Sequence, residues 1–129
     1  MKHSLKQWDE GLYDATRRAK KAWIDDARTF DFGDPEPCTV CLVGFEICHA
    51  HHVIPLGSQF DRGFVEPNHE IEWLCPNHHA IVHALLRSSI TASRNDFKRK
   101  IECFYLIAAH KPTKQEIDCL IDIVTRGRA

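Results

Sequence analysis

The sequence predicts a small α+β domain in which two short strands and one helix form a core stapled by a metal ion, with helices before and after it. Two pairs of metal-ligand residues share the same spacing, Cys38 with Cys41 and Cys75 with His78. Seven of the nine histidines lie between Cys38 and His83. The 129 residues suit one domain with a modest core. A small hairpin in such a core buries little apolar surface, so a structural metal ion is expected to stabilise it.

Residues 1–36 are expected to form an N-terminal helix and a linker. From Leu5 to Ala27, apolar residues recur at steps of three and four, which is typical of an amphipathic helix over residues 4–29. Residues 31–37 contain a glycine and two prolines, which favour a break in regular structure before the core.

Residues 37–88 are expected to form the ββα core. Residues 45–54 have strand-like side chains, residues 55–68 carry glycine and proline and predict a loop, and residues 71–74 predict a second strand. Pro76 suits the first turn of a helix that ends near Leu86, because it has no amide hydrogen to lose there.

Residues 89–129 are expected to form a C-terminal helical extension that supports the core. Ser93 with Asp96 resembles a capping box before a helix over residues 97–109. Thr113 with Glu116 fits the same pattern at the start of a last helix.

Composition and charge limit the partners and the location. The formal net charge of −1 gives no general attraction to nucleic acid, so affinity for phosphate must come from local basic clusters or a bound metal. No apolar segment follows the basic residues near the start, and none approaches the roughly 20 residues that span a bilayer. We therefore expect a cytoplasmic protein that does not bind membranes.

The two spaced pairs predict a structural zinc site. In a chain without an export signal, CxxC spacing favours metal binding over disulfides, and zinc prefers a tetrahedral set of sulfur and nitrogen ligands. The predicted ligands are Cys38, Cys41, Cys75 and His78. The other cysteines, Cys48, Cys103 and Cys119, are expected to be buried thiols.

The remaining histidines of the core predict a catalytic centre. His79 and His83 are four residues apart and share a helix face, whereas His78 points elsewhere. Successive strand residues point to opposite faces, so His51 and His52 can serve one site only where the strand ends or twists. Pro55 favours such an end.

Hydrolysis of a phosphodiester needs a deprotonated water and a cation that neutralises the growing charge. A neutral imidazole is a suitable base near neutral pH, so His52 is the expected general base. His51, His79 and His83 are the expected ligands of the catalytic metal. His49 and His69 have no partner at a helpful spacing and are expected to be ordinary surface or core residues.

The order of these motifs resembles the HNH endonucleases, also called His-Me finger or ββα-metal nucleases, over residues 38–83, roughly a third of the chain. The resemblance implies that His52 is the general base and that His51, His79 and His83 hold a Mg²⁺ or Mn²⁺ ion. It also implies that His78 replaces the usual fourth cysteine of the structural zinc. The matching segments are Cys38-Thr-Val-Cys41, His51-His52-Val-Ile-Pro55 and Leu74-Cys75-Pro-Asn-His78-His79-Ala-Ile-Val-His83.

The sequence departs from this family at the central Asn, which holds the loop and keeps the base oriented. Counted back from His79, its place falls on Glu70, and Asn68 lies two residues earlier. Either Asn68 serves after a small shift of the loop, or Glu70 substitutes for it, for instance through a carboxylate–imidazole bond to His52.

The expected function is metal-dependent cleavage of DNA, with RNA and a homodimer left open. Basic side chains that can contact phosphates are Arg62, Arg87, Arg94, Lys98, Arg99 and Lys100. The alternative is a catalytically inactive zinc module that binds nucleic acid or protein. Glu70 at the place of the central Asn favours this alternative. A zinc hydrolase of small substrates is disfavoured, because the chain lacks an HExxH motif.

Overall fold

The two strands come from the histidine-rich segment and from the segment before the CxxH motif. In the computed structural model, β1 (His49–His52) pairs antiparallel with β2 (Ile71–Leu74). The register sets His51 opposite Glu72 and His52 opposite Ile71. The structure describes residues 2–42, 44–88, 93–107 and 111–128, and the side chains of residues 11–42, 44, 46–88, 93–105 and 111–128.

Five α-helices accompany this sheet in the described part of the chain, and the predicted α+β class is confirmed. None of these helices is long and apolar enough to cross a membrane. A single 3-10 turn at Phe45–Ile47 stands where the sequence predicted the start of the first strand. The helices are α1 (Lys2–Ala27), α2 (Leu56–Asp61), α3 (Pro76–Arg87), α4 (Arg94–Ile107) and α5 (Lys114–Arg128).

One compact unit comprises residues 1–31 and 56–68 and contains α1 and α2. Within it, Trp23 packs edge-on against Phe60, with ring centroids 6.0 Å apart, and Lys20 Nζ lies 3.0 Å from the Asp61 carboxylate. The expectation of a plain loop over residues 55–68 is wrong, because α2 occupies its first half. The apolar contact of Phe60 stabilises this short helix despite the glycine in it.

The second unit comprises residues 32–55 and 69–129 and contains the sheet and α3 to α5. Its core forms where the apolar stripes of the three helices meet the buried end of β2. The side chains with no exposed surface in this core include Leu74, Val82, Leu85, Ile101, Leu120 and Val124. The helix predicted over residues 97–109 begins earlier, at Arg94, and residues 108–110 lie outside the described part.

Candidate metal centres

The two predicted ligand pairs come together at the start of α3. Cys75 is the N-cap of this helix, and its Sγ accepts a hydrogen bond from the His78 amide at 3.4 Å. Cys38 and Cys41 lie in a turn closed by the Leu42 amide, which donates to the Cys38 carbonyl at 2.7 Å. The same turn is tied to β2, because the Thr39 amide donates to the Trp73 carbonyl at 2.8 Å. Local geometry thus directs both pairs to one place.

The four ligand atoms have the spacing that a tetrahedral ion requires, since all lie within 4.8 Å of one another. The Sγ atoms of Cys41 and Cys75 are 3.9 Å apart, and His78 Nδ1 is 3.7 Å from Cys38 Sγ. Two sulfurs around a zinc with bonds of about 2.3 Å lie roughly 3.8 Å apart. The donor set and its spacing therefore fit a zinc-like metal ion.

The protonation of Cys38 also suits a metal ligand. Burial by itself raises the pKa of this thiol, but hydrogen bonds from the backbone of Cys75, Cys41 and Val40 and from the Cys41 side chain outweigh burial. The net effect lowers the pKa of Cys38, which favours the thiolate that binds metal.

His78, one of the four candidate metal ligands, belongs to a hydrogen-bond chain that the sequence did not reveal. His78 Nε2 contacts the hydroxyl of Tyr105, and this hydroxyl donates to Glu116 Oε2 at 2.8 Å. Burial and then the hydrogen bond to Glu116 raise the pKa of Tyr105, so the hydroxyl keeps its proton. With Nδ1 bound to a metal ion, Nε2 would carry the hydrogen and donate it to Tyr105, and this hydrogen bond would hold the ring in the tautomer that a metal ligand needs.

A second group of ligand atoms lies where β1 faces α3. One ring nitrogen from each of His51, His79 and His83 lies within 4.8 Å of the other two, and the Nε2 atoms of His79 and His83 are 2.9 Å apart. His51 is buried, and its Nε2 has no hydrogen-bond partner among the described residues. An unpaired nitrogen in a buried position is costly, and a metal ion would satisfy it. Three imidazole donors fit a divalent transition-metal ion.

These three imidazoles are neutral at physiological pH. Burial, followed by repulsion from His79, His83 and His52, lowers the pKa of His51 to about 3. Burial, followed by repulsion from His83 and His49, lowers the pKa of His79 to about 4. Burial and the nearby charge of Arg87 lower the pKa of His83. A neutral ring has the lone pair that a metal ligand needs, so protons do not compete with a metal near pH 7.

His49, expected to be an ordinary residue, contacts a member of this group. Its Nδ1 lies 3.0 Å from Nδ1 of His79, and the ring centroids are 5.2 Å apart. Because Nε2 of His79 faces His83, the contact with His49 occupies the other nitrogen of the ring. Such a contact orients a metal-binding imidazole in many metal sites.

His52 is not a member of the three-histidine group, because it points to the opposite side of β1. Its Nε2 lies 3.2 Å from Nδ1 of His69. The ring of Phe32 packs edge-on against both, with centroids 5.4 Å from His52 and 5.6 Å from His69. The structure therefore brings His51, His79 and His83 together. His52, although it follows His51 in sequence, forms a separate pair with His69.

The two residues considered for the central Asn position have other contacts. The Glu70 carboxylate forms a 2.8 Å ion pair with Nη1 of Arg126. In the first unit, the buried side-chain amide of Gln59 accepts from the Asn68 amide at 2.8 Å and donates to its carbonyl at 2.9 Å. Asn68 thus contributes its backbone to the structure of that unit.

The predicted phosphate contacts differ in their surroundings. Arg87 ends α3 one turn after His83, whose pKa its charge lowers. Arg94 forms an ion pair with Asp118, and Arg62 in the first unit lies over the ring of Phe64. Like Arg94, the basic residues Lys98, Arg99 and Lys100 are exposed on α4.

Comparisons of this chain with protein-family models, with curated proteins and with solved structures find no match. The features that bear on its function are the two candidate metal centres and the His52–His69 pair.

Proposed function

We propose that this protein is a metal-dependent endonuclease of the HNH type that hydrolyses phosphodiester bonds in DNA. The observation that supports the proposal best is the buried, unpaired Nε2 of His51 beside His79 and His83 in the described part of the chain. A second group, of three cysteines and one histidine, would stabilise so small a sheet when it binds a zinc ion.

The residues of the proposed site divide the reaction between two sides of β1. When bound by His51, His79 and His83, a divalent ion would supply positive charge to a phosphate oxygen. His52 accepts a proton from the attacking water through a ring nitrogen that carries a lone pair. The scissile phosphate must then lie across the end of β1, where His51 and His52 point to opposite faces.

The chemistry of the donor set bears on the choice of metal. Three neutral imidazoles without a carboxylate suit Mn²⁺ and later transition metals better than Mg²⁺, which prefers oxygen ligands. Among the two expected catalytic ions, Mn²⁺ is therefore the better candidate. Arg87 can add a phosphate contact, because it lies on α3 one turn after His83.

Nicking of supercoiled plasmid tests the proposal. The purified protein is assayed with Mg²⁺, Mn²⁺, Co²⁺ and Ni²⁺, and with single-stranded RNA as a second substrate. We expect cleavage by the wild type and a loss of about 10²- to 10⁴-fold in rate for His52→Ala, which removes the base. Zinc content and DNA affinity, measured on the same samples, should stay at the wild-type level.

A second candidate function is a zinc module that binds nucleic acid or protein without catalysis. The ion pair between Glu70 and Arg126 favours this function. Glu70 stands at the place of the central Asn, and there it makes a structural contact instead of orienting the base. A folded, zinc-loaded wild type that cleaves neither DNA nor RNA with any of the four metals would decide for this function.

A further inference from the structure

We infer that His69 positions His52 for proton transfer through a hydrogen bond between the two imidazole rings. The inference rests on the proposed function, in which His52 is the base. It goes beyond it, because neither the motif nor its spacing assigned any role to His69.

The contact between the two rings is specific in its atoms and in its surroundings. His52 Nε2 and His69 Nδ1 are 3.2 Å apart, which is within hydrogen-bond distance. Both residues are partly buried, and Phe32 packs edge-on against each ring. The aromatic contact restricts both rings, so the pair presents a fixed geometry.

The register of the sheet explains why His69, rather than its neighbour Glu70, reaches His52. His52 pairs with Ile71, and the Val53 amide donates to the Glu70 carbonyl at 3.0 Å, which continues the pairing by one residue. Side chains two residues apart on one strand share a face, so His69 is the diagonal neighbour of His52.

Glu70 belongs to the other face of the sheet. His51 pairs with Glu72, which places Glu72 and Glu70 on the face opposite His52. Arg126 binds both carboxylates there, at 2.8 Å for Glu70 and 2.6 Å for Glu72. The proposed carboxylate–imidazole bond between Glu70 and His52 is therefore disfavoured by the alternation of side chains, and His69 takes that position.

A hydrogen bond between two imidazole rings gives the rings different roles. One ring donates an N–H and the other accepts, and a base must keep a lone pair. If His52 donates from Nε2 to Nδ1 of His69, its own lone pair is on Nδ1. Nδ1 then takes the proton from the attacking water, the water becomes the hydroxide nucleophile, and His52 becomes a cation. Its hydrogen bond to His69 strengthens as this charge forms.

Two variants of similar size separate hydrogen bonding from packing. His69→Asn keeps an acceptor, because its amide oxygen can lie close to the position of Nδ1. His69→Leu keeps apolar contact with Phe32 but removes the acceptor. We expect kcat to fall about 10- to 100-fold in His69→Leu, with KM changed less than about twofold, and less than about tenfold in His69→Asn.

Nitrogen-15 NMR of the histidine rings gives a readout that does not depend on cleavage. We expect the wild type and His69→Asn to carry the His52 hydrogen on Nε2. Zinc content and far-ultraviolet circular dichroism check that each variant is folded, and if His69→Leu does not fold, the wild-type and His69→Asn spectra decide.

A wild-type spectrum with the hydrogen on Nδ1 of His52 overturns the inference, as does a folded His69→Leu variant with wild-type kcat. These results leave the proposed function intact as long as the wild type cuts DNA. A wild type that cuts no substrate instead refutes the proposed function, together with the role of His69 in proton transfer.

Discussion

Replacement of Tyr105 by Phe tests the hydrogen bonds that connect His78, a candidate zinc ligand, to Tyr105 and Glu116. The change removes one oxygen atom, which accepts from His78 Nε2 and donates to Glu116 Oε2 at 2.8 Å. The direct distance from His78 Nε2 to Glu116 Oε2 is 3.8 Å, too long for a hydrogen bond. Glu116 therefore cannot replace the hydroxyl without moving.

The size of the effect follows from burial. His78 is 4% exposed and Tyr105 is 3% exposed, so the N–H of His78 loses its partner away from bulk water. A buried donor without a partner costs about 1–3 kcal/mol, which corresponds to a zinc affinity about 5- to 150-fold weaker.

Competition with a chromophoric zinc chelator at pH 7 measures this affinity directly. The chain offers a matched control in its other tyrosine, because Tyr13 is 68% exposed and Tyr13→Phe makes the same chemical change on the surface of α1. We expect the control to bind zinc like the wild type. If Tyr105→Phe binds zinc within about threefold of the wild type, then the hydrogen bonds from His78 to Tyr105 and Glu116 do not strengthen zinc binding. Tyr105 is then only a core residue.

Two further predictions concern stability. Burial lowers the pKa of His51 to about 3 and of His79 to about 4, whereas the unfolded chain takes up protons below about pH 6.5. Without metal at these histidines, the free energy of unfolding should therefore fall as the pH drops from about 6.5 towards 4, by up to about 1.4 kcal/mol per pH unit for each ring. Urea unfolding of the metal-free protein at pH 7 and pH 5 measures this difference. Equal free energies of unfolding at the two pH values would contradict the prediction. A Cβ at Gly127 would overlap the Val53 carbonyl oxygen, so Gly127→Ala should lower the free energy of unfolding by about 1–3 kcal/mol. Gly11→Ala is the control, since a Cβ there meets nothing within 4 Å and should stabilise α1 by up to about 1 kcal/mol; a Gly127→Ala variant as stable as the wild type would refute the overlap.

Spacing along the chain predicted the parts of the site that depend on local geometry. The CxxC and CxxH pairs lie on a turn and on a helix start, and both geometries set their ligand atoms a few ångströms apart. His79 and His83 share a face because residues four apart on a helix do so. The strand at residues 71–74 and the helix from Pro76 also follow from local sequence.

Several features lay outside what spacing can predict. Cys103 is exposed rather than buried, because the face of a helix that meets the core depends on its neighbours. Tyr105 and Glu116 meet His78 from α4 and α5, and no local pattern links positions so far apart in sequence. The short helix α2 depends on its contacts within the first unit.

The sequence by itself determined the two ligand pairs around Cys38 and Cys75 and the helical histidine pair, because each is set by turns or helix periodicity. Only the tertiary structure decided which residue accompanies His52. Side chains alternate along a strand, so a shift of one residue in the register would exchange the faces of His69 and Glu70. That register depends on how the strand packs against the rest of the molecule, so the spacing of residues along the chain does not predict it.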